Sequence, residues 1–191
     1  GVLNIVYLNG CTGVTAQNIV ACGNIGRGIN IINLDGTTQS SLTKCAIKNN
    51  SSIDFARGIL LVNSALNNQL YDCMVVGFTA PLAVEGFRID TGCNNNLLMN
   101  CQAIANSSTG AANTANTRGF NVNDADRVTL MGCKALNNTA PSSPLPVAVW
   151  GFDLFDCTLA SIIGCQASNN TAQGGVSASI GFNVNGGSGN I

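Results

Sequence analysis

Along this chain, apolar and polar residues alternate in short bursts, each closed by Gly, Asn, Asp or Ser. Gly119-Phe120-Asn121-Val122 and Gly151-Phe152-Asp153-Leu154 are examples. A period of two marks a strand with one buried face. No window offers about ten to twelve residues of i, i+3, i+4 apolar spacing between caps, so the pattern predicts strands and turns rather than helices. Strands this short bury too little to stand alone and need stacked neighbours.

The bursts recur. Gly followed by a bulky apolar residue appears at Gly28-Ile29, Gly58-Ile59, Gly86-Phe87, Gly119-Phe120, Gly151-Phe152 and Gly181-Phe182, at spacings of 30, 28, 33, 32 and 30 residues. Cysteine makes a second column at Cys22, Cys45, Cys73, Cys101, Cys133 and Cys165. Three residues before these lie Ile19, Leu42, Leu70, Leu98, Leu130 and Ile162; two residues after lie Asn24, Ile47, Val75, Ala103, Ala135 and Ala167. Eight before, the last four repeats carry the small residues Ala65, Cys93, Ala125 and Cys157. Turn residues follow at Asn49-Asn50-Ser51, Asn137-Asn138-Thr139 and Asn169-Asn170-Thr171. Equivalent residues of stacked repeats would lie about 4.8 Å apart, giving a continuous interior of like side chains.

With inward Phe/Ile, Leu, Cys and Ala columns and Asn at the turns, the sequence resembles the right-handed parallel β-helix, or pectin-lyase-like solenoid. The resemblance implies an all-β chain: a right-handed single-stranded parallel β-helix of about six coils of roughly 30 residues, with three parallel sheets and hydrogen-bonded Asn ladders. It spans 1–191 as a single β-helix domain, expected to be a fragment of a longer chain. A β-propeller or sandwich is the alternative; one Cys per repeat and the lack of Asn-Gly hairpin turns at fixed offsets count against it. The fold carries lyases, hydrolases, adhesins and viral fibres alike, so it does not choose a function.

Composition narrows the choice. Charged residues make up 9% of the chain and the net charge is −1, which leaves no basic stripe to neutralise phosphates and speaks against nucleic acid. A hydrophobic content of 46% with almost no net charge is the reverse of disorder. No apolar run is long enough for a membrane span. Polarity rests on 27 Asn instead of ions. The nine Cys include no C-x₂-C pair, which argues against a zinc ribbon. Stacked thiols with parallel Cβ vectors sit beyond the usual ~3.8 Å Cβ separation of a disulfide, so free buried thiols, reduced at assembly, are expected. Asn49, Asn50, Asn106, Asn137 and Asn169 each begin an N-x-[S/T] acceptor, pointing towards secretion, although a chain so rich in these residues produces such matches by composition.

Candidate chemistry is sparse. Asp124 and Asp156 fall in one column, with Asp90, Asp126 and Asp153 near them and Arg88 and Arg127 as cationic neighbours. Stacked carboxylates repel, and a Ca²⁺ ion or an arginine would relieve them. Paired carboxylates also do acid/base work in glycosidases, which makes Asp90, Asp124, Asp126 and Asp156 the candidate site residues of a polysaccharide lyase or hydrolase. Against this, Asp is a good turn residue. The chain has no His, and it reads Arg88-Ile89-Asp90 where polygalacturonase-like enzymes carry Arg-Ile-Lys beside Gly-His-Gly. No cofactor or metal is expected apart from that Ca²⁺. Arg27, Arg57 and Arg118 precede repeat glycines and read as a solvated edge.

The longest irregular stretches, Asn106 to Thr117 and Thr139 to Pro146, are tolerated loops or the wall of a glycan groove. After Gly181 a seventh coil opens without a visible cap, which suggests an excerpt or ends that stack on copies of the chain. The expectation is therefore a non-enzymatic structural protein, part of a virion or cell-surface fibre whose partners are its own copies. The alternative is a carbohydrate-binding or polysaccharide-degrading β-helix.

Overall fold

The computed structural model describes residues 2–110, 115–141, 147–173 and 178–191. They form a parallel β-solenoid of four sheets, with no helix among the described residues. The long sheet has seven strands: Val2–Asn9, Gly28–Asp35, Ala56–Val62, Val84–Ile89, Thr117–Asn123, Ala148–Phe155 and Ala178–Asn185. The next two sheets hold three-residue strands such as Leu97–Met99 and Gln102–Ile104. The fourth is a ladder of two-residue strands such as Ser107–Ser108 and Thr139–Ala140, so the polar pairs that follow the turn asparagines form a face of their own beyond the three anticipated.

Register follows from what each column can bury. Val6, Ile32, Ile59, Phe87, Phe120, Phe152 and Phe182 lie one above another, with coils of 26, 27, 28, 33, 32 and 30 residues. The last four stack their rings at 4.8 Å, the spacing of paired strands. The glycine before each ring answers a close approach. A Cβ on Gly119 would sit 2.6 Å from the Gly151 carbonyl oxygen and 2.7 Å from the Ala135 Cβ.

The corners explain the asparagine excess. Asn49, Asn137 and Asn169 adopt left-handed φ of 51°, 56° and 54°, a conformation open to Gly and tolerated by Asn and Asp. Each is exposed, while the residue after it turns inward. Asn50, Asn106 and Asn138 are fully buried and form a side-chain ladder. Asn24 Nδ2 donates to Asn50 Oδ1 at 2.8 Å, Asn106 to Asn138 at 3.0 Å, and Asn138 to Asn170 at 2.8 Å. Their amides also satisfy backbone groups that the turn buries: Asn106 Oδ1 accepts the Phe78 N–H at 3.1 Å. Phe78 itself interrupts the ladder, filling the Asn position of its coil with a buried ring. The acceptor motifs are divided by the same geometry: Asn50 and Asn106 are buried in the ladder, and Asn49, Asn137 and Asn169 face solvent.

All nine cysteines are free thiols. Cys45, Cys73, Cys101 and Cys133 are buried in one inward column, where the Cys133 thiol donates to the Leu98 carbonyl at 3.4 Å. Burial pushes the Cys93 and Cys157 thiols above their ordinary pKa, and Cys101 is held well above it by the stacked Cys133 and Cys73 thiols and by burial.

The first coil departs from the sequence alignment by three residues. Val20 pairs with Ala46, so Ile19 and not Cys22 underlies Cys45, and Cys22 is exposed beside Lys48. In the same way Ala16, not Ile19, pairs with Leu42, and Ala21, not Asn24, pairs with Ile47. Ile31, not Gly28, precedes the stacked residue Ile32. Cys22 falls three residues after the position its column requires and Gly28 three residues before, so neither landmark marks the strand register here. Strand pairing decides the register, because it determines which residue reaches the core.

Candidate functional site

The outer face of the long sheet carries the concentrated polar chemistry. Reading up one column are Asn30, Arg57, Glu85, Arg118 and Trp150. Beside it runs Asn33, Leu60, Arg88, Asn121, Asp153 and Asn183, and at the strand ends Asp35, Val62, Asp90, Asn123, Phe155 and Asn185. Strand alternation sends Arg88, Asn121 and Asp153 outward while Ile89, Val122 and Leu154 enter the core, and the glycine that each coil leaves out of the pairing lets Glu85 and Arg118, three residues earlier, face outward too.

Glu85 is the centre. It is the chain's only Glu, and it is 1% exposed. Arg57 Nε lies 2.8 Å from its Oε2, and Arg88 Nη1 lies 3.0 Å from its Oε1. Arg118 Nη1 approaches to 3.6 Å, and Asn121 Nδ2 donates to Oε1 at 2.6 Å. Burial alone would push the Glu85 carboxyl up, but Arg88, Arg57 and Arg118 together hold it below its usual range. Arg88 also reaches Asp90 at 3.1 Å, and Arg118 reaches Asp153 at 2.6 Å. Asn183 donates to the other Asp153 oxygen at 2.7 Å. Arg57 lies over the Phe55 ring at 4.4 Å and Arg118 over Trp150 at 4.5 Å. Three arginines and three carboxylates thus form one compensated network, Arg57, Arg88 and Arg118 with Glu85, Asp90 and Asp153.

The acidic residues singled out in the sequence separate into three places. Asp90 joins this network. Asp126 acts in a turn, where its Oδ1 accepts the Thr158 N–H at 3.0 Å. Asp124 and Asp156 share a column, both exposed and both left-handed at 50° and 51°. They are corner residues of the kind that Gly36 and Asn63 supply in earlier coils. Among the described residues no group of three or more His, Cys, Asp or Glu is placed to hold a metal ion.

Of the three arginines grouped as a solvated edge, Arg57 and Arg118 are clamped onto Glu85. Only Arg27 is solvated, with an exposed pairing to Asp54 at 3.2 Å. Glu85 was the residue missed, although Glu85-Gly86 stands in the repeat where Arg57-Gly58 and Arg118-Gly119 do. An acid between two bases in one column was the available signal.

A cavity of about 230 Å³ opens on this face, lined by Arg88, Arg118, Asn121, Asn123, Asp153 and Phe155. A second, of about 270 Å³, lies on the two-residue ladder between Ser107–Thr109 and Thr139–Pro141. It borders both long loops, whose residues 111–114 and 142–146 lie outside the described residues. The groove wall expected there lies partly on those segments.

No protein-family model and no curated protein matches the sequence. Among solved structures, the chain is similar to the A-module of the mannuronan C-5 epimerase AlgE6 of Azotobacter vinelandii, at 14% identity and a TM-score of 0.33. That match covers 92% of this chain and 58% of the other, so the chain spans little over half of that module. It is also similar to QnrB1, a plasmid-mediated fluoroquinolone resistance protein, at 13% identity and a TM-score of 0.25, covering 90% of this chain and 91% of the other. The pentapeptide repeat protein HetL of Nostoc sp. strain PCC 7120 follows at 15% identity and a TM-score of 0.14, covering 85% and 87%. At these scores the likenesses carry no functional argument. The four parallel sheets themselves make the chain a parallel β-solenoid repeat protein. No helix among the described residues is long and apolar enough to cross a membrane.

Proposed function

We propose that this solenoid is a non-enzymatic structural protein, a stretch of a fibre or filament on a virion or bacterial surface, whose partners are copies of itself stacked along the coil axis. The observation that carries the reading is the engagement of Glu85, Asp90 and Asp153 on the outer face by arginine. A glycosidase-type site needs one carboxyl kept protonated as general acid, and Glu85 is driven the other way. The interior supports it as well, because columns repeating every 4.8 Å can be extended by a further coil of the same kind. Thiols in such a core are reduced at assembly, and no cofactor or Ca²⁺ is required.

Negative-stain images of the full-length protein, with a screen of acidic polysaccharides with and without Ca²⁺, test this reading. Filaments without cleavage are expected. Monodisperse monomers, or cleavage abolished by Asp124→Ala, would overturn it.

A second reading, a carbohydrate-binding β-helix, is favoured by the cavity on the long sheet. Guanidinium donors, amide oxygens and the half-exposed Phe155 ring converge there.

A further inference from the structure

Resting on the carbohydrate-binding reading, we infer that the outer face of the long sheet binds a neutral, hydroxyl-rich glycan and not an acidic one, with one sugar residue seated in the Arg88–Arg118–Phe155 cavity.

Charge decides the class. The three arginines of the face are already matched by Glu85, Asp90 and Asp153 at 2.6–3.6 Å. A uronate or sulfate would have to take an arginine from its partner and leave a carboxylate unpaired on a floor where Glu85 and Asp153 are 1% and 6% exposed. A hydroxyl makes no such demand, since it donates to an amide oxygen and accepts from a guanidinium without displacing charge.

The spare hydrogen-bonding capacity is of that kind. Asn121 and Asn123 spend their Nδ2 groups on Glu85 and Asp90, and their Oδ1 atoms accept no hydrogen bond among the described residues. Arg118 turns Nε to Asp153 and Nη1 towards Glu85, which leaves its Nη2 hydrogens unspent. Phe155 is 44% exposed at the rim, an apolar surface for the C–H face of a sugar ring.

Size sets the length. A cavity of about 230 Å³ is below the ~300–1,000 Å³ of pockets for drug-sized ligands, so it suits one sugar residue.

The test is a binding screen of the chain against neutral and uronate-containing oligosaccharides, with affinities by calorimetry at low and at high salt. Neutral glycans are expected to bind with little salt dependence. Phe155→Ala, a surface change that leaves the core intact, is expected to weaken binding at least tenfold. Asn123→Ala is expected to weaken it severalfold, and Lys48→Ala, on another sheet, not at all. Binding of acidic glycans alone, fading with salt, would overturn the neutral class while keeping the carbohydrate reading. Neutral binding unmoved by both Phe155→Ala and Asn123→Ala would overturn the site. No binding of either class would sink the carbohydrate reading with it.

Discussion

The two faces of the long sheet obey different rules. Inward, one column reads Phe87, Phe120, Phe152 and Phe182, with a glycine before each. Outward, the neighbouring column reads Asn30, Arg57, Glu85, Arg118 and Trp150, and no two successive residues share a chemical type. Each inner residue must pack on its own equivalent 4.8 Å away, so identity propagates from coil to coil. An outer residue must only satisfy its polarity, and opposite charges stack better than like ones. The outer face is therefore where this chain differs from a plain repeat.

Substitutions on either side can break that contrast. The largest losses are expected from Phe120→Ala and Glu85→Ala, each about 3–5 kcal/mol in denaturant unfolding. The first opens a cavity between two stacked rings; the second strands three arginines around an empty centre. If Glu85→Ala costs under about 1 kcal/mol, the outer network is decoration and the contrast weakens.

Acid should separate the faces. The Glu85 carboxyl is depressed in the folded state, so its contribution is present above its unfolded value of about 4.3 and is lost as pH falls through the lower folded value. Thermal melts are expected to drop in that window below about pH 4. Part of the drop should vanish in Glu85→Gln, whereas Phe120→Ala should lower stability equally at every pH.

A smaller effect is expected at the glycines of the inner face. Gly119→Ala, which forces a Cβ against the Gly151 carbonyl, is expected to cost about 1–3 kcal/mol. A cost under about 0.5 kcal/mol would refute the close-approach argument. Smallest is Asp124→Ala at the exposed corner, expected within about 0.5 kcal/mol. Thiol labelling of the native protein offers an independent check: Cys22 should react quickly, Cys11 and Cys165 more slowly, and the six buried thiols only on unfolding.

Much of the fold is legible in the sequence because inner columns repeat. The rings, the leucines three residues before Cys45 to Cys133, and the paired asparagines each mark a coil. The start of the chain misleads because Cys22 comes three residues after the position it mimics and Gly28 three residues before, and local pattern carries no memory of which strand lies above. Asp124 and Asp156 do share a column, as their spacing implies, yet Asp90 and Asp153 belong to another cluster altogether. Glu85 escaped notice for a physical reason: an isolated acid among arginines acquires meaning only when coils of 28 and 33 residues bring them together.

By itself the sequence determined the period, the all-β parallel stacking, the buried thiols and the polarity of the corners, since each follows from what one residue type can bury or which φ it can adopt. Only the tertiary structure decided the register of the first coil, the fourth sheet, the division of each Asn-Asn pair into corner and ladder, and the closing of three arginines around Glu85. Those depend on contacts between residues some thirty positions apart, whose energies exist only once one coil rests on the next.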